Sequence, residues 1–495
     1  KLEVAEKAAE EVGGRLPVED RFPYMVGWVD SDVSISRRRN KRALEMSTSH
    51  LWQLAETHAL FDWSDVVVRG VSLTLEGPKP QFYARTPLEN LDEAIRRSAQ
   101  DGWLKMLGIK AESWDVLKRW VADHWGEVIN MVKRRLESVK AGPGFDLGKA
   151  LEELEGLKSR LDDDKVAREV MAPALLLIQA ERLGVNEATL RYFGAVVSGA
   201  IDGDGYVSAA EGKIVLTSGE RAAALLWGAV LATHGIKAGV RRTVSAFHVV
   251  ASGDDAVKLA GLYFLYGPPL LEGDDRLKNH KLYESMKLAA EGLSVSWEGL
   301  RRRTEGGPVA ADLTISAAGA AVKYNTYLRE NKVVLRFQST DRSRAELAAR
   351  LLRLAGVSAE VKREGGRGEW QVVATTDRLA AGREELRKAL AEFVRAAVKN
   401  EKKAEHWLEK LEKGRVLMEG WPKYYVGLAR SGALLVRFSS PNPDSIRREA
   451  QRLREMGLEE GVHFSVKMPE EGRYGYVSVL KEGLAYAAWL SVYGK

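Results

Sequence analysis

The feature that most restricts the fold of this chain is a repeated order of elements. KIVLTSGERAAALLWGAVLATHGIKAGVRR, from Lys213, and KVVLRFQSTDRSRAELAARLLRLAGVSAEVKR, from Lys332, share strand, Ser/Thr cap, amphipathic helix, glycine and basic strand. FHVVASGDDAVKLAG from Phe247 parallels WQVVATTDRLAAGRE from Trp370. A further copy starts near Tyr424 with YYVGLARS, ALLVRFSS and PNPDSIRREAQRLREMGL, and the segment after Val33 gives one more. An internal repeat decides architecture more firmly than any single propensity, because every copy has to pack the same way. The chain is expected to be α+β, with four ββαββα units in tandem at about 33–108, 206–266, 318–397 and 424–493.

Taken in order, the sequence divides into an N-terminal helix (1–16), a first unit (17–111), a helical insert (112–184) and a second unit (185–292). A linker (293–311), a third unit (312–400), a connecting helix (401–423) and a fourth unit (424–495) follow, so that the units form two pairs. The insert has long 3.6-period helices such as WDVLKRWVADHWGEVINMVKRRLESV and is broken at Gly142-Pro143-Gly144. Its Trp114, Trp120 and Trp125 are expected to pack inside it. The linker is assigned from Arg301-Arg302-Arg303 and Gly306-Gly307-Pro308. Zero cysteines exclude disulfides and thiolate metal sites and fit a cytoplasmic protein, nucleoid association included. Lys plus Arg exceeds Asp plus Glu by only 75 − 69 = 6 charges, which permits a nucleic-acid partner without demanding one. No run approaches the length of a membrane span, and the many Arg and Glu residues lean towards a thermophilic source. Lys rather than Met at position 1 suggests a fragment of a longer chain.

Chemistry is concentrated in Phe193–Ser208, FGAVVSGAIDGDGYVS. It reads as a small-residue helix that stops at Asp202-Gly203-Asp204-Gly205, with Gly205 suited to a left-handed terminating turn. A helix C-terminus carries partial negative charge, so carboxylates placed there favour a cation. An EF-hand is disfavoured, since Ala200 stands where the first ligand belongs and a strand follows Glu211 instead of a helix. MVGWVDSDV, from Met25, is a weaker copy with Asp30 and Asp32. Two helices can bring such tips together only if small residues line their crossing, and Gly27, Gly194, Ser198 and Gly199 supply them. Juxtaposed carboxylates repel unless a divalent cation neutralises them. Hard oxygen ligands suit Mg²⁺, and phosphodiester hydrolysis uses such sites.

Val197–Gly205 matches the LAGLIDADG motif at G, I, D, D and G, and Met25–Val33 shares G, D and D with it. With the duplicated element order, residues 17–290 resemble the LAGLIDADG family of homing endonucleases. The resemblance implies a saddle over double-stranded DNA, with RNA as the alternative partner, formed by one chain acting as a monomeric pseudo-dimer. It implies that Asp32 and Asp204 are catalytic metal ligands, with Asp30 and Asp202 in support. Candidate DNA contacts are Arg37, Arg38, Arg39, Lys41 and Arg42 in the first hairpin, with Arg69, Arg85, Arg241 and Arg242. The pattern departs at Val33, which replaces the closing glycine, and at Pro23. No lysine ends the fourth strand of a unit, where the family keeps a catalytic one; Arg85 is nearest. A non-cleaving nucleic-acid-binding protein, a regulator or an RNA maturase, stays open. Units three and four lack acidic tips, and their wording (WPKYYVGLARSGALLVRFSS, EGLAYAAWLSVYG) resembles a multicopy, repeat-associated family of hyperthermophilic archaea that implies no activity.

Overall fold

Each expected unit closes a four-stranded antiparallel sheet of one topology. The computed structural model describes residues 2–38, 41–74, 77–269, 271, 275–302, 309–329, 332–363, 368–398, 401–414, 424–428, 433–440, 443–469 and 474–486. The first sheet holds β1 (Ser34–Arg38), β2 (Lys41–Thr48), β3 (Asp65–Thr74) and β4 (Gly77–Pro87) in the order β1-β2-β4-β3. A two-residue strand in the insert, β5 (Lys140–Ala141), comes next in the chain. The second sheet orders β6 (Tyr206–Ser208), β7 (Lys213–Ser218), β8 (Ala238–Arg242) and β9 (Phe247–Ser252) as β6-β7-β9-β8. The third has β10 (Ser294–Arg302), β11 (Val309–Ala317), β12 (Ala320–Arg329), β13 (Lys332–Ser339), β14 (Val361–Arg363) and β15 (Trp370–Thr375). Its last four strands repeat the pattern as β12-β13-β15-β14, with β10 and β11 added beside β12. The fourth orders β16 (Tyr425–Leu428), β17 (Leu434–Ser440), β18 (Phe464–Lys467) and β19 (Gly475–Val479) as β16-β17-β19-β18. The fold is thus α+β with four ββαββα units.

Residues 293–311 correct the expectation of a linker. Most of the described part is strand, pairing Ser294 with Ser316 and Trp297 with Leu313. Val295 and Trp297 alternate inward, and the Trp297 ring meets Phe393 edge-on. Burying that pair gives the segment a reason to join the sheet. Gly306-Gly307-Pro308, Arg303 and Arg39 lie outside the described residues, as does the side chain of Arg38.

Units one and two meet through two helices that precede β1 and β6. The first tip helix spans Arg21–Asp30 and the second Glu187–Asp202. The second begins in a capping box: Asn186 accepts from the Ala188 and Thr189 amides, and Thr189 Oγ1 accepts from the Asn186 amide at 2.8 Å. Both helices are buried almost throughout. The insert is part of the same core. Trp114 and Trp125 are fully buried, and helix Asp164–Leu183 buries most of its length between the two units. Strand β5 pairs in parallel with β8 and covers that sheet edge.

The third unit, expected to pair with the fourth, packs helix Arg342–Leu354 on the second unit. There the buried Arg350 donates to Phe264 O (2.6 Å) and Pro268 O (2.8 Å) at the end of helix Asp254–Tyr266. Lys1–Arg415 forms one compact unit and Val416–Lys495 another. Among the described residues no helix is long and apolar enough to cross a membrane.

Two helix tips as a candidate metal and nucleic-acid site

Glycine sets the distance between the tip helices. A Cβ on Gly199 would fall 2.8 Å from Trp28 N and 3.0 Å from the Gly27 carbonyl carbon, and one on Gly27 would overlap Val196 O. Neither backbone can yield, so these two glycines are the seam. Gly194 serves a different contact, since its Cβ would meet Tyr266 Cβ at 2.5 Å. Ser198 also leaves the seam, and its hydroxyl donates to Asp202 Oδ2 at 3.3 Å. The glycines of the tip are required by crowding and not by a left-handed turn. Neither Gly203 nor Gly205 has positive φ. A Cβ on Gly203 would lie 2.5 Å from Ser31 Cβ of the opposite tip, and one on Gly205 would lie 2.5 Å from Ile201 Cα.

This close crossing brings Asp32 and Asp204 together. Burial first, then the charge of Asp204 and a side-chain hydrogen bond with it, push the Asp32 carboxyl up to about 7. Asp30 and Asp202 are held further inside. Asp30 Oδ2 accepts from Trp227 Nε1 at 3.0 Å, and its Oδ1 is buried with no hydrogen-bond partner. Asp202 is fully buried and accepts from Tyr263 Oη, from Asn279 Nδ2 at 2.8 Å and from Ser198. Burial raises its carboxyl to about 6 against those hydrogen bonds, which favour the charged form. Asn279 Nδ2 also donates to Glu56 Oε1 at 3.2 Å; Glu56 is 2% exposed, and burial followed by the Asp202 charge keeps it well above the usual carboxylate range.

Several residues that complete the site carry no motif. Lys281 Nζ donates to Ile201 O (2.8 Å), Asp202 O (2.9 Å) and Gly203 O (2.6 Å), taking up the terminal carbonyls of the second tip helix. Its charge acts on Asp202, Asp32, Asp204 and Glu56 together. Gln53 Nε2 donates to Asp202 O at 2.7 Å and sits 3.5 Å from Asp32 Oδ2. From the insert, Arg168 Nη1 reaches Ser31 O at 3.5 Å. Beside it, Glu169 has a buried Oε2 without a hydrogen-bond partner. Among the described residues no three His, Asp or Glu side chains are set to hold a metal ion together. These contacts are tertiary; Asn279 as the cap of helix His280–Ala289 is the one local signal that precedes Lys281.

Strand register sorts the candidate DNA contacts, because alternate residues face opposite sides. In the first sheet Leu44, Met46, Phe82 and Ala84 face the helices. Lys41 and Arg85 have the opposite parity and share the helix-free face with Glu45, whose Oε1 is 3.4 Å from Arg85 Nε. Arg69 lies there too, its guanidinium 3.3 Å above the Tyr83 ring. Arg37 and Arg42 pair with each other on the helix side. Arg37 is exposed beyond the helices, whereas Arg42 is held by Asp115 (2.6 Å) and Asp164 (3.2 Å) of the insert. In the second sheet Arg241 lies on the helix-free face beside His248, while Arg242 shares the parity of buried Val240. Burial, Arg241 and Lys213, in that order, hold the His248 imidazole below its usual range.

The first two of the tandem ββαββα units are thus joined by two crossed, acid-tipped helices. The family described as PaRep2b protein matches residues 315–490, over units three and four. None of the curated proteins matches the chain. Among solved structures, the chain is similar to I-SmaMI bound to uncleaved DNA target in the presence of calcium ions. That likeness has 11% identity and a TM-score of 0.24, over 55% of this chain and 91% of that one. It is also similar to meganuclease I-SmaMI bound to uncleaveable DNA, with 11% identity and a TM-score of 0.24 over 55% of this chain and 89% of that one.

Proposed function

We propose that units one and two bind double-stranded DNA across their helix-free sheet faces and act as a divalent-metal-dependent, site-specific endonuclease of homing type. The supporting observation is the meeting of Asp32 and Asp204 where two helix C-termini converge and β1 and β6 depart. The donors fit a hard cation such as Mg²⁺: both are carboxylate oxygens, and burial followed by the neighbouring Asp204 charge raises the Asp32 carboxyl to about 7, which a bound cation would reverse. Asp32 and Asp204 would hold the cation, which supplies charge neutralisation and Lewis acidity when bound. The chain's own groups prepare the place. Lys281 and Gln53 hold the second tip and Arg168 the first, while Asp30 and Asp202 anchor the helix ends from inside. Lys41, Arg69, Arg85 and Arg241 would contact phosphates, setting position and salt dependence more than sequence.

A second reading, a non-cleaving nucleic-acid-binding protein such as a regulator or RNA maturase, is favoured by Lys281. Its ammonium already places one positive charge beside the acidic tips, which offsets part of their charge without a metal. One experiment separates the readings. Duplex DNA from the source genome is incubated with the protein and Mg²⁺, and strand breaks are mapped by end sequencing. Site-specific breaks that vanish in Asp204→Asn, with duplex affinity kept, support the endonuclease. Salt-sensitive binding without breaks, unchanged in Asp204→Asn, sinks it in favour of the second reading.

A further inference from the structure

The fourth unit has no acidic tip, yet its sheet has a built surface of its own. Helix Pro443–Glu455 covers one side, where Ile446, Ala450 and Leu453 form a small core with Phe464 and Val477. By strand alternation Tyr425, Arg437, Ser439, Tyr476, Ser478 and Lys467 face the other side. No strand of this sheet carries Asp or Glu; its charges are Arg437 and Lys467.

One aromatic ring on this face, that of Tyr425, lies along the sheet. A Cβ added to Gly427 would fall 2.5 Å from Tyr425 Oη and 2.7 Å from its Cζ, so the Tyr425 ring lies along its own strand over the space that glycine leaves. Glycine weakens a strand interior unless something must approach closely, and here the ring does. Tyr425 stays 64% exposed in that position, so one ring face is open to solvent. On the neighbouring strands the Arg437 guanidinium sits 3.9 Å above the Tyr476 ring and donates to Ser478 Oγ at 2.8 Å. A ring laid along the sheet, a guanidinium held over a second ring and strands without carboxylates form a surface complementary to unpaired bases on a polyanionic strand. A duplex hides its base faces and cannot use them.

We propose that the helix-free face of β16–β19 binds single-stranded nucleic acid, with unpaired bases stacking on Tyr425 and on the Arg437–Tyr476 pair. This is independent of the acidic tips. The test measures fluorescence anisotropy of the full chain with labelled oligo(dT), oligo(rU), an abasic strand of equal charge and a duplex, each of about ten nucleotides. We expect the base-bearing single strands to bind more tightly than the abasic strand. Tyr425→Ala should weaken that binding about fivefold or more, whereas Tyr425→Phe, which keeps the ring, stays within about twofold. Asp204→Asn should leave single-strand affinity unchanged, so this proposal can fail or stand separately from cleavage. Equal affinity for oligo(dT) and oligo(rU) means stacking alone, and a preference for oligo(rU) names RNA as the ligand. An abasic strand bound as tightly as oligo(dT), an unaffected Tyr425→Ala, or no binding at low salt overturns the proposal.

Discussion

At the scale of single residues, the second tip is explained by backbone crowding. Gly27 and Gly199 let the helices touch, Gly203 makes room for Ser31, and Gly205 lets the chain turn back over Ile201. Val33, which replaces the closing glycine in the first copy, is fully buried, so that departure became packing. A histidine behind the second tip helix gives a pH prediction. His234 is buried against the Phe193 ring, with Nδ1 2.9 Å from Val230 O. A carbonyl only accepts, so Nδ1 carries the proton and Nε2 is left buried without a partner. Burial lowers the imidazole from 6.5 to about 4. The unfolded chain then binds more protons than the folded one between those values. This stabilisation is complete above pH 6.5 and is lost as pH falls towards 4, by about 3 kcal/mol in all. Denaturant titrations of wild type and His234→Gln should show a stability difference that shrinks by that amount across the window. A difference independent of pH would show that His234 is charged in the fold.

At the scale of elements, the two halves exchange support. Trp227, on helix Arg221–Thr233 of unit two, donates to Asp30 of unit one, while Gln53, on helix Leu51–Phe61 of unit one, donates to Asp202 of unit two. Each tip is therefore held by the other half. The insert adds a clamp at Asp164, which accepts from Lys118 Nζ (2.7 Å), Trp114 Nε1 (3.1 Å) and Arg42 Nη2 (3.3 Å). Lys118 is 4% exposed, so losing this partner leaves a buried cation poorly compensated. Asp164→Ala is expected to cost about 2–4 kcal/mol by chemical denaturation. Asp115→Ala removes a more exposed partner of the same two cations and should cost under about 1 kcal/mol. Equal costs would show that Asp164 is not the clamp.

At the scale of the whole molecule, the buried apolar residues among those described fall into two separate clusters. One runs from Ala5 to Leu411 and includes the insert; the other, in the fourth unit, is built on Ile446, Ala450, Leu453, Leu458, Phe464 and Val477. A chain ended after Arg415 is expected to unfold in one cooperative thermal transition and to keep the duplex affinity of the full chain within about twofold. Aggregation, or loss of the transition, would show that the two clusters depend on each other. On the first sheet Lys41 and Arg69 lie exposed on the helix-free face, whereas Arg42 has become part of the internal scaffold.

How much could be read in advance follows from the range of each interaction. Element order, the repeat, the acidic tips and the small residues between them are local patterns, set by period, capping and steric permission, and the sequence alone determined them. It also showed Gly27 and Gly199 as seam residues, because close helix packing leaves that mark. It did not separate them from Gly194, did not foresee residues 293–311 as strand, and gave no sign of Lys281, Gln53 or Arg168. Those residues act from other elements, some more than a hundred positions away, and hydrogen bonds to helix-end carbonyls leave no pattern in the sequence. Only the tertiary structure decided which cation faces the paired carboxylates, which arginines the insert withdraws, and that each half steadies the other's tip.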